Sequence, residues 1–300
     1  MNFKHKLYII TVLLFTALKS HAQLNPFQSM YFQDRYLLNP ALAGMDKFLN
    51  LNLDYRQQWS SFAGTPKTTA ITGDFSPADK VGVGLNVIDD QSGLIRETRA
   101  LGSYAYHLPL SEDNQKLNFG LSLGVDDSRI DYSKVNGDLS DEQIAIYNQL
   151  KPYVDGSLGV AYTDNNALLS LSLPSLETTL FRASDDRFSA DLLLFQAVAA
   201  YKFNISNTDM GLNLEPIAAF RAVKGFTNIV DAGFNLGMSN YGLNMQVMYH
   251  SNQETSAGLS LDMKNLVLNF NYNIETGSLG GYTNGAFELG LKVRLFSSKH

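Results

Sequence analysis

A period of two recurs along this chain almost from end to end, and it limits the possible folds more than any other feature. Leu49, Leu51, Leu53 and Tyr55 alternate with Asn50, Asn52, Asp54 and Arg56. Successive residues of a strand point to opposite faces, so this run reads as a strand with one apolar and one polar face. The pattern returns as Val81, Val83, Leu85 and Val87 against Gly82, Gly84 and Asn86. It returns again as Leu117, Phe119, Leu121 and Leu123 against Asn118, Gly120, Ser122 and Gly124. Strands are expected near residues 48–59, 67–75, 80–88, 98–109, 115–126, 150–163, 166–173, 191–204, 209–220, 228–238, 241–250, 255–262, 265–274 and 284–296. An even number of such segments, each of about 10 residues and separated by turn residues, is the pattern of a bacterial outer-membrane β-barrel. The expected fold is all-β, a transmembrane antiparallel barrel of about 14 strands.

The links between segments test this independently, because such barrels have short periplasmic turns and longer extracellular loops. Short links fall at Ser76–Asp79, Leu110–Asn114, Asp164–Asn165, Ile205–Thr208, Ser239–Asn240 and Met263–Lys264, rich in the Asn, Asp, Ser and Pro that tight turns favour. Longer links alternate with them at 89–97, 127–149, 174–190, 221–227 and 275–283. Counting strands then puts both termini in the periplasm.

A secreted β-sandwich can draw on the same supply of 15 Tyr, 18 Phe and 23 Gly with only 8 Pro. The polar faces separate the two folds. A sandwich turns charges outward, whereas Gly233, Asn235 and Gly237, or Asn244 and Gln246, are small or neutral and suit a watery lumen. On that reading Leu121 and Leu268 face lipid, so a charge there is costly and a charge at Ser122 is mild. The last strand ends in Glu288-x-Gly290-x-x-Val293-x-Leu295-Phe296, which resembles the terminal pattern read by outer-membrane assembly machinery.

Lys4 and Lys6 precede an apolar run from Leu7 to Phe15, and Ser20-His21-Ala22 has the small residues of a cleavage site. This reads as a secretory signal peptide over 1–22, cleaved after Ala22; the run is shorter than the roughly 20 residues a membrane-crossing helix needs. Loss of Lys4, Lys6 and Lys19 with no acids takes the net charge from −6 to −9, which gives nucleic acid no purchase. The chain has no cysteine, hence no lipidated N-terminal Cys, disulfide or thiolate metal site.

Residues 23–47 precede the barrel (48–300) and carry Phe27, Met30, Tyr31, Phe32, Tyr36, Leu37 and Leu38. Such a run needs a dry place, so it is expected to pack into the periplasmic mouth as a plug or against a partner. Asn39-Pro40-Ala41 with Ala43-Gly44, then Tyr55-Arg56-x-Gln58-Trp59 and Gly64-Thr65-Pro66-Lys67-Thr68, resemble the opening signature of the PorP/SprF family of the Bacteroidota type IX secretion system. The resemblance is strongest over 28–75. It implies an outer-membrane component of the secretion and gliding apparatus that contacts outer-membrane lipid and periplasmic type IX machinery. Such a component helps export, anchor or display a large cell-surface adhesin through the adhesin's C-terminal domain. A diffusion channel or hydrophobic-solute transporter is the other reading the strands support. Candidate partner-binding residues are Phe27, Gln28, Tyr31, Phe32, Asp34, Arg35, Asn39, Pro40, Arg56 and Trp59. Arg56 is expected to face the lumen and pair with an acid or with carbonyls of the N-terminal segment, and Tyr55, Arg56 and Trp59 to close the start of the barrel.

No catalytic, cofactor or metal site is expected. Past the signal peptide the only histidines are His107, His250 and His300, none in a catalytic motif; His107 and His250 read as rings at strand ends near the interface. Ser140 and Gln143 have capping-box spacing for a short helix in the longest loop. Asp126, Asp127, Asp131 and Asp138 are acids that calcium favours, without the spacing of a known calcium loop. Asp185-Asp186 reads as solvated surface.

Overall fold

The computed structural model describes residues 29–46, 48–59, 64–135, 137, 142–181, 192–205, 210–224, 227–276 and 284–297. The segment read as a signal peptide lies outside them, as do Phe27, Gln28, Asp138, Ser140, Asp185 and Asp186.

One antiparallel sheet closes on itself. Its strands are β1 Phe48–Gln58, β2 Lys67–Ala78, β3 Val81–Ser92, β4 Ile95–Pro109, β5 Lys116–Ile130, β6 Tyr153–Thr163, β7 Ala167–Leu173, β8 Leu193–Tyr201, β9 Phe203–Asn204, β10 Leu212–Val223, β11 Ile229–Met238, β12 Leu243–His250, β13 Glu254–Asp262, β14 Leu266–Glu275 and β15 Ala286–Ser297. Each pairs with its neighbour, and β15 closes the ring on β1 from Ser297↔Phe48 to Ala286↔Gln58. The fifteenth strand does not add a fifteenth stave. β9 keeps the register of β8 on β10, Ala200↔Ile217 being followed by Phe203↔Leu214. The gap falls opposite Pro216, which has no N–H to give a ladder. The barrel therefore has the fourteen staves expected.

Outward and inward residues alternate as expected. Leu121 is 53% exposed and its neighbour Ser122 only 2%. Outward aromatics form two belts, with Tyr106, Phe119 and Phe203 toward the short turns and Tyr55, Tyr249 and Tyr272 toward the longer loops. That is the girdle arrangement of a membrane barrel. Among the described residues no helix is long and apolar enough to cross a membrane; the strands do so.

The link expected over 89–97 is instead ladder. Asp89, Asp90, Gln91 and Ser92 pair with Thr98, Glu97, Arg96 and Ile95, leaving only Gly93 and Leu94 in the turn. Asp89 accepts hydrogen bonds from Arg96 Nε at 2.7 Å and Thr98 Oγ1 at 2.9 Å. Strands that continue past the bilayer no longer need an apolar outer face, so the period-two signal stops before the hydrogen bonding does. β5 likewise runs on to Ile130, where Asn148 of the loop helix Glu142–Gln149 bonds its backbone.

The polar faces line open space only in part, because the N-terminal segment occupies much of the lumen. A 3-10 turn at Met30–Phe32, a helical turn at Arg35–Leu38 and a second 3-10 turn at Pro40–Leu42 pack inside the ring. The caps are in the sequence: Asp34 accepts from Leu37 N at 3.1 Å, and Asn39 from Ala41 N at 2.8 Å with Pro40 in the first helical position. Gly44, at φ +65°, turns the chain into β1. Ser122 is thus buried, its hydroxyl 2.6 Å from that of Ser103, so a charge there would meet protein rather than water and would not be mild. We expect Leu121→Arg to cost about 2–4 kcal/mol, by analogy with charges placed at a bilayer midplane. Ser122→Arg should fall in the same range, because it buries an unpaired charge. Urea unfolding in lipid vesicles measures both; a neutral Ser122→Arg would mean that the lumen is wet.

Candidate functional site

Traced back from Gly44 to Ser29, the N-terminal segment runs through the barrel from the short-turn end toward the loop end. Ala43 and Gly44 sit at the short-turn end, the Ala43 carbonyl 3.0 Å from His107 Nε2 and Gly44 N donating to Asp74 at 2.8 Å. The Pro40–Leu42 turn rests against β4, β5 and β6. Asn39 Nδ2 donates to Ser170 Oγ at 2.7 Å and to the Leu171 carbonyl at 3.0 Å. Halfway along, Tyr36 and Ser103 share a hydrogen bond of 2.7 Å, and Thr72 donates to Asp34 at 2.6 Å. At the far end Ser29 N donates to Glu288 at 3.2 Å, and Glu288 is two residues from the loop end of β15.

Small inward residues let this segment approach the wall. A Cβ on Gly120 would stand 2.1 Å from Ala41 N, one on Gly159 1.8 Å from Asn39 Oδ1, and one on Gly82 1.9 Å from the Ala43 carbonyl oxygen. These glycines mark the groove in which the segment lies.

The candidate residues divide into two groups. Phe32, Asp34 and Arg35 line a cleft of about 530 Å³ at the short-turn end, with Leu42, Met45, Asp46, the β6–β7 turn, Lys202, Lys292 and Arg294 among the other walls. Its rim is held by Arg35 with Glu215 and by Arg294 with Asp262 at 3.0 Å. Backbone N–H groups of Ala167 and Asn166 hold the Asp164 carboxyl below the usual carboxylate range, so the rim stays negative there. Tyr31, Asn39, Pro40, Arg56 and Trp59 lie elsewhere. Arg56 does face the lumen and an acid, Glu288 at 3.5 Å, but beside Ser29 in the loop-side half. Trp59 is at the loop end, where its indole N–H bonds Glu275 and its backbone N–H bonds the Gly285 carbonyl at 2.8 Å. It ties β1 to the outer ends of β14 and β15, as a residue expected to close the start of the barrel would, and it lies away from the cleft.

A polar cluster that sequence reasoning missed secures the loop-side half. Tyr31 donates to Asp231 at 2.6 Å, and Arg221 grips both Asp231 oxygens at 2.7 and 2.8 Å. His250 Nδ1 is 2.7 Å from Asp231, and its Nε2 is 3.2 Å from Ser256 Oγ. His107 and His250 are thus inward, buried members of the packing between wall and plug, and not rings at the interface. Ser256, His250 and Asp231 follow the hydroxyl–imidazole–carboxylate order of acyl transfer. Arg221 and Tyr31 already hold the carboxylate and every member is buried, so the cluster joins the plug to the wall. The acids considered for calcium do not converge either: Asp126 faces in, Asp127 faces out with Arg129 at 2.6 Å, and Asp131 caps Ser133.

The fold and this site define an outer-membrane β-barrel whose lumen is largely occupied by its own N-terminal segment. The chain belongs to the PorP/SprF family of type IX secretion system membrane proteins, whose family model matches residues 20–293. Among solved structures it is similar to the outer membrane protein Omp33 of Acinetobacter baumannii (10% identity, 83% of this chain and 99% of that one, TM-score 0.47). It is also similar to a TodX deletion mutant described as a monoaromatic hydrocarbon channel (9% identity, 88% and 94%, TM-score 0.49). A comparison with curated proteins finds no match.

Proposed function

We propose that this barrel is a non-enzymatic docking component of type IX secretion that helps export, anchor or display a large surface adhesin. The observation that carries the reading is the cleft at the short-turn end, the end that faces the periplasm in such barrels, whose floor is the plug itself. It offers the apolar surfaces of Phe32, Leu42 and Met45 beneath a rim of both charges, an anchor with polar registry for a periplasmic partner or the C-terminal domain of a client. The occupied lumen favours this reading over a diffusion channel.

Arg35→Ala and Lys202→Glu test it. Both residues are at the rim, so thermal stability should change by about 1 kcal/mol or less. Recovery of type IX machinery or adhesin with the tagged barrel should fall about tenfold, the equivalent of ~1.4 kcal/mol of affinity. Unchanged recovery with both variants folded would remove the cleft from the docking site.

A further inference from the structure

We infer that a calcium ion bridges the plug to β1 at the inner end of the cleft, held between Asp34 and Asp54 with the side-chain oxygens of Gln33 and Asn52 completing its shell. Asp34 and Asp54 are both buried, and among the described residues neither has an ion-pair partner within 4 Å. Glu288 has Arg56 at 3.5 Å, whereas the ammonium of Lys292, which acts on both Asp34 and Asp54, is shared with Asp74 and with Asp46 at 4.0 Å, so one cation serves four carboxylates. Two carboxylates in a dry lumen repel each other and favour a cation between them.

The neighbouring amides point the same way. Asp54 Oδ2, Asn52 Oδ1 and Gln33 Oε1 are buried and have no hydrogen-bond partner, and all three are oxygens. Asn52 is 3% exposed and Asp54 0%. Buried acceptors left unmatched are costly, and two orphaned amide oxygens beside two carboxylates, one of which has an orphaned oxygen of its own, suit a hard cation that takes carboxylate and amide oxygens.

The residues are linked in space. Gln33 Nε2 reaches Asp54 Oδ1 at 3.4 Å, Thr72 Oγ1 donates to Asp34 at 2.6 Å, and Asn52 Nδ2 donates to the same Thr72 oxygen at 2.9 Å. Those bonds leave the orphaned oxygens free to bind. Among the described residues no three carboxylates or imidazoles converge, so the site draws on amides for its remaining ligands. Gln33 and Asp34 line the cleft, which gives an ion a route from the periplasm. Two ligands come from the plug and two from the wall, so the bound ion would lock one to the other. This does not depend on what docks at the rim.

The test is isothermal titration of Ca²⁺ into the purified full chain in detergent after chelator treatment, with thermal midpoints measured alongside. The expected result is one Ca²⁺ per chain and a midpoint raised by calcium. Asp54→Asn and Asn52→Ala should each weaken binding at least about tenfold, with Asn52→Ala deciding the matter if Asp54→Asn fails to fold. Asp164→Asn, at the exposed rim, should bind as the parent does. No calcium binding by the parent, as expected if ordered water alone fills the gap, would overturn the proposal. So would equal losses in Asp164→Asn and Asp54→Asn.

Discussion

Arg221→Leu is expected to destabilise the barrel by about 3–5 kcal/mol, among the largest effects of any single substitution in this chain. Arg221 and Asp231 are both 0% exposed, and the guanidinium holds both carboxylate oxygens. Removing it leaves the Asp231 charge in a dry interior with only Tyr31 and His250 to compensate. The cost is mostly that of the stranded charge, not the worth of the pair itself. Arg221→Leu combined with Asp231→Leu should therefore recover a large part of the loss. Urea unfolding followed by the shift of the folded barrel on unheated gels measures both. A single variant as stable as the parent would show that water reaches Asp231.

The strands were legible because lipid enforces their pattern. Every outward residue between the aromatic belts must be apolar, so the period of two survives where it faces the bilayer, and fails at 89–92 and 127–130 where it does not. The lumen was not legible in the same way. Small polar residues such as Ser122 and Ser170 look alike in sequence whether they face water or the plug. Two signals could have separated these cases. The inward faces of β10 to β12 carry Arg221, Asp231 and His250, large groups of opposite sign on neighbouring strands that require a common partner. The inward faces of β3, β5 and β6 carry Gly82, Gly120 and Gly159, where a wall facing only water has no need of glycine. The cleft was half visible: Phe32, Asp34 and Arg35 were picked out because an apolar run with interspersed charge has to be buried on one side and exposed on the other. Trp59, read both as a partner-binding candidate and as a residue that closes the start of the barrel, makes its bonds to Glu275 and Gly285, and the eleven residues of β1 set it apart from the mouth.

Deleting residues 29–38 should turn a closed barrel into a conducting one. Eight strands enclose an interior that side chains alone can fill, while 16–18 leave an aqueous channel; a fourteen-stave ring lies between, so its closure depends on the plug. The wall can do without it. Thr72, Ser103, Ser172 and Asn273 can exchange their plug contacts for water once the lumen is wet, and the β1–β15 ladder that closes the ring uses no plug atom. The deletion variant should therefore still insert and shift on gels, at a lower melting temperature, and show discrete conductance steps in planar bilayers where the parent shows none. Gly120→Val tests the same idea with the plug present: its Cβ would press within 2.1 Å of Ala41 N, and such overpacking costs about 1–3 kcal/mol. That should give intermittent openings, because the segment is displaced without being removed. Steady conductance from the parent, or silence from a folded deletion variant, would show that the plug does not close the pore.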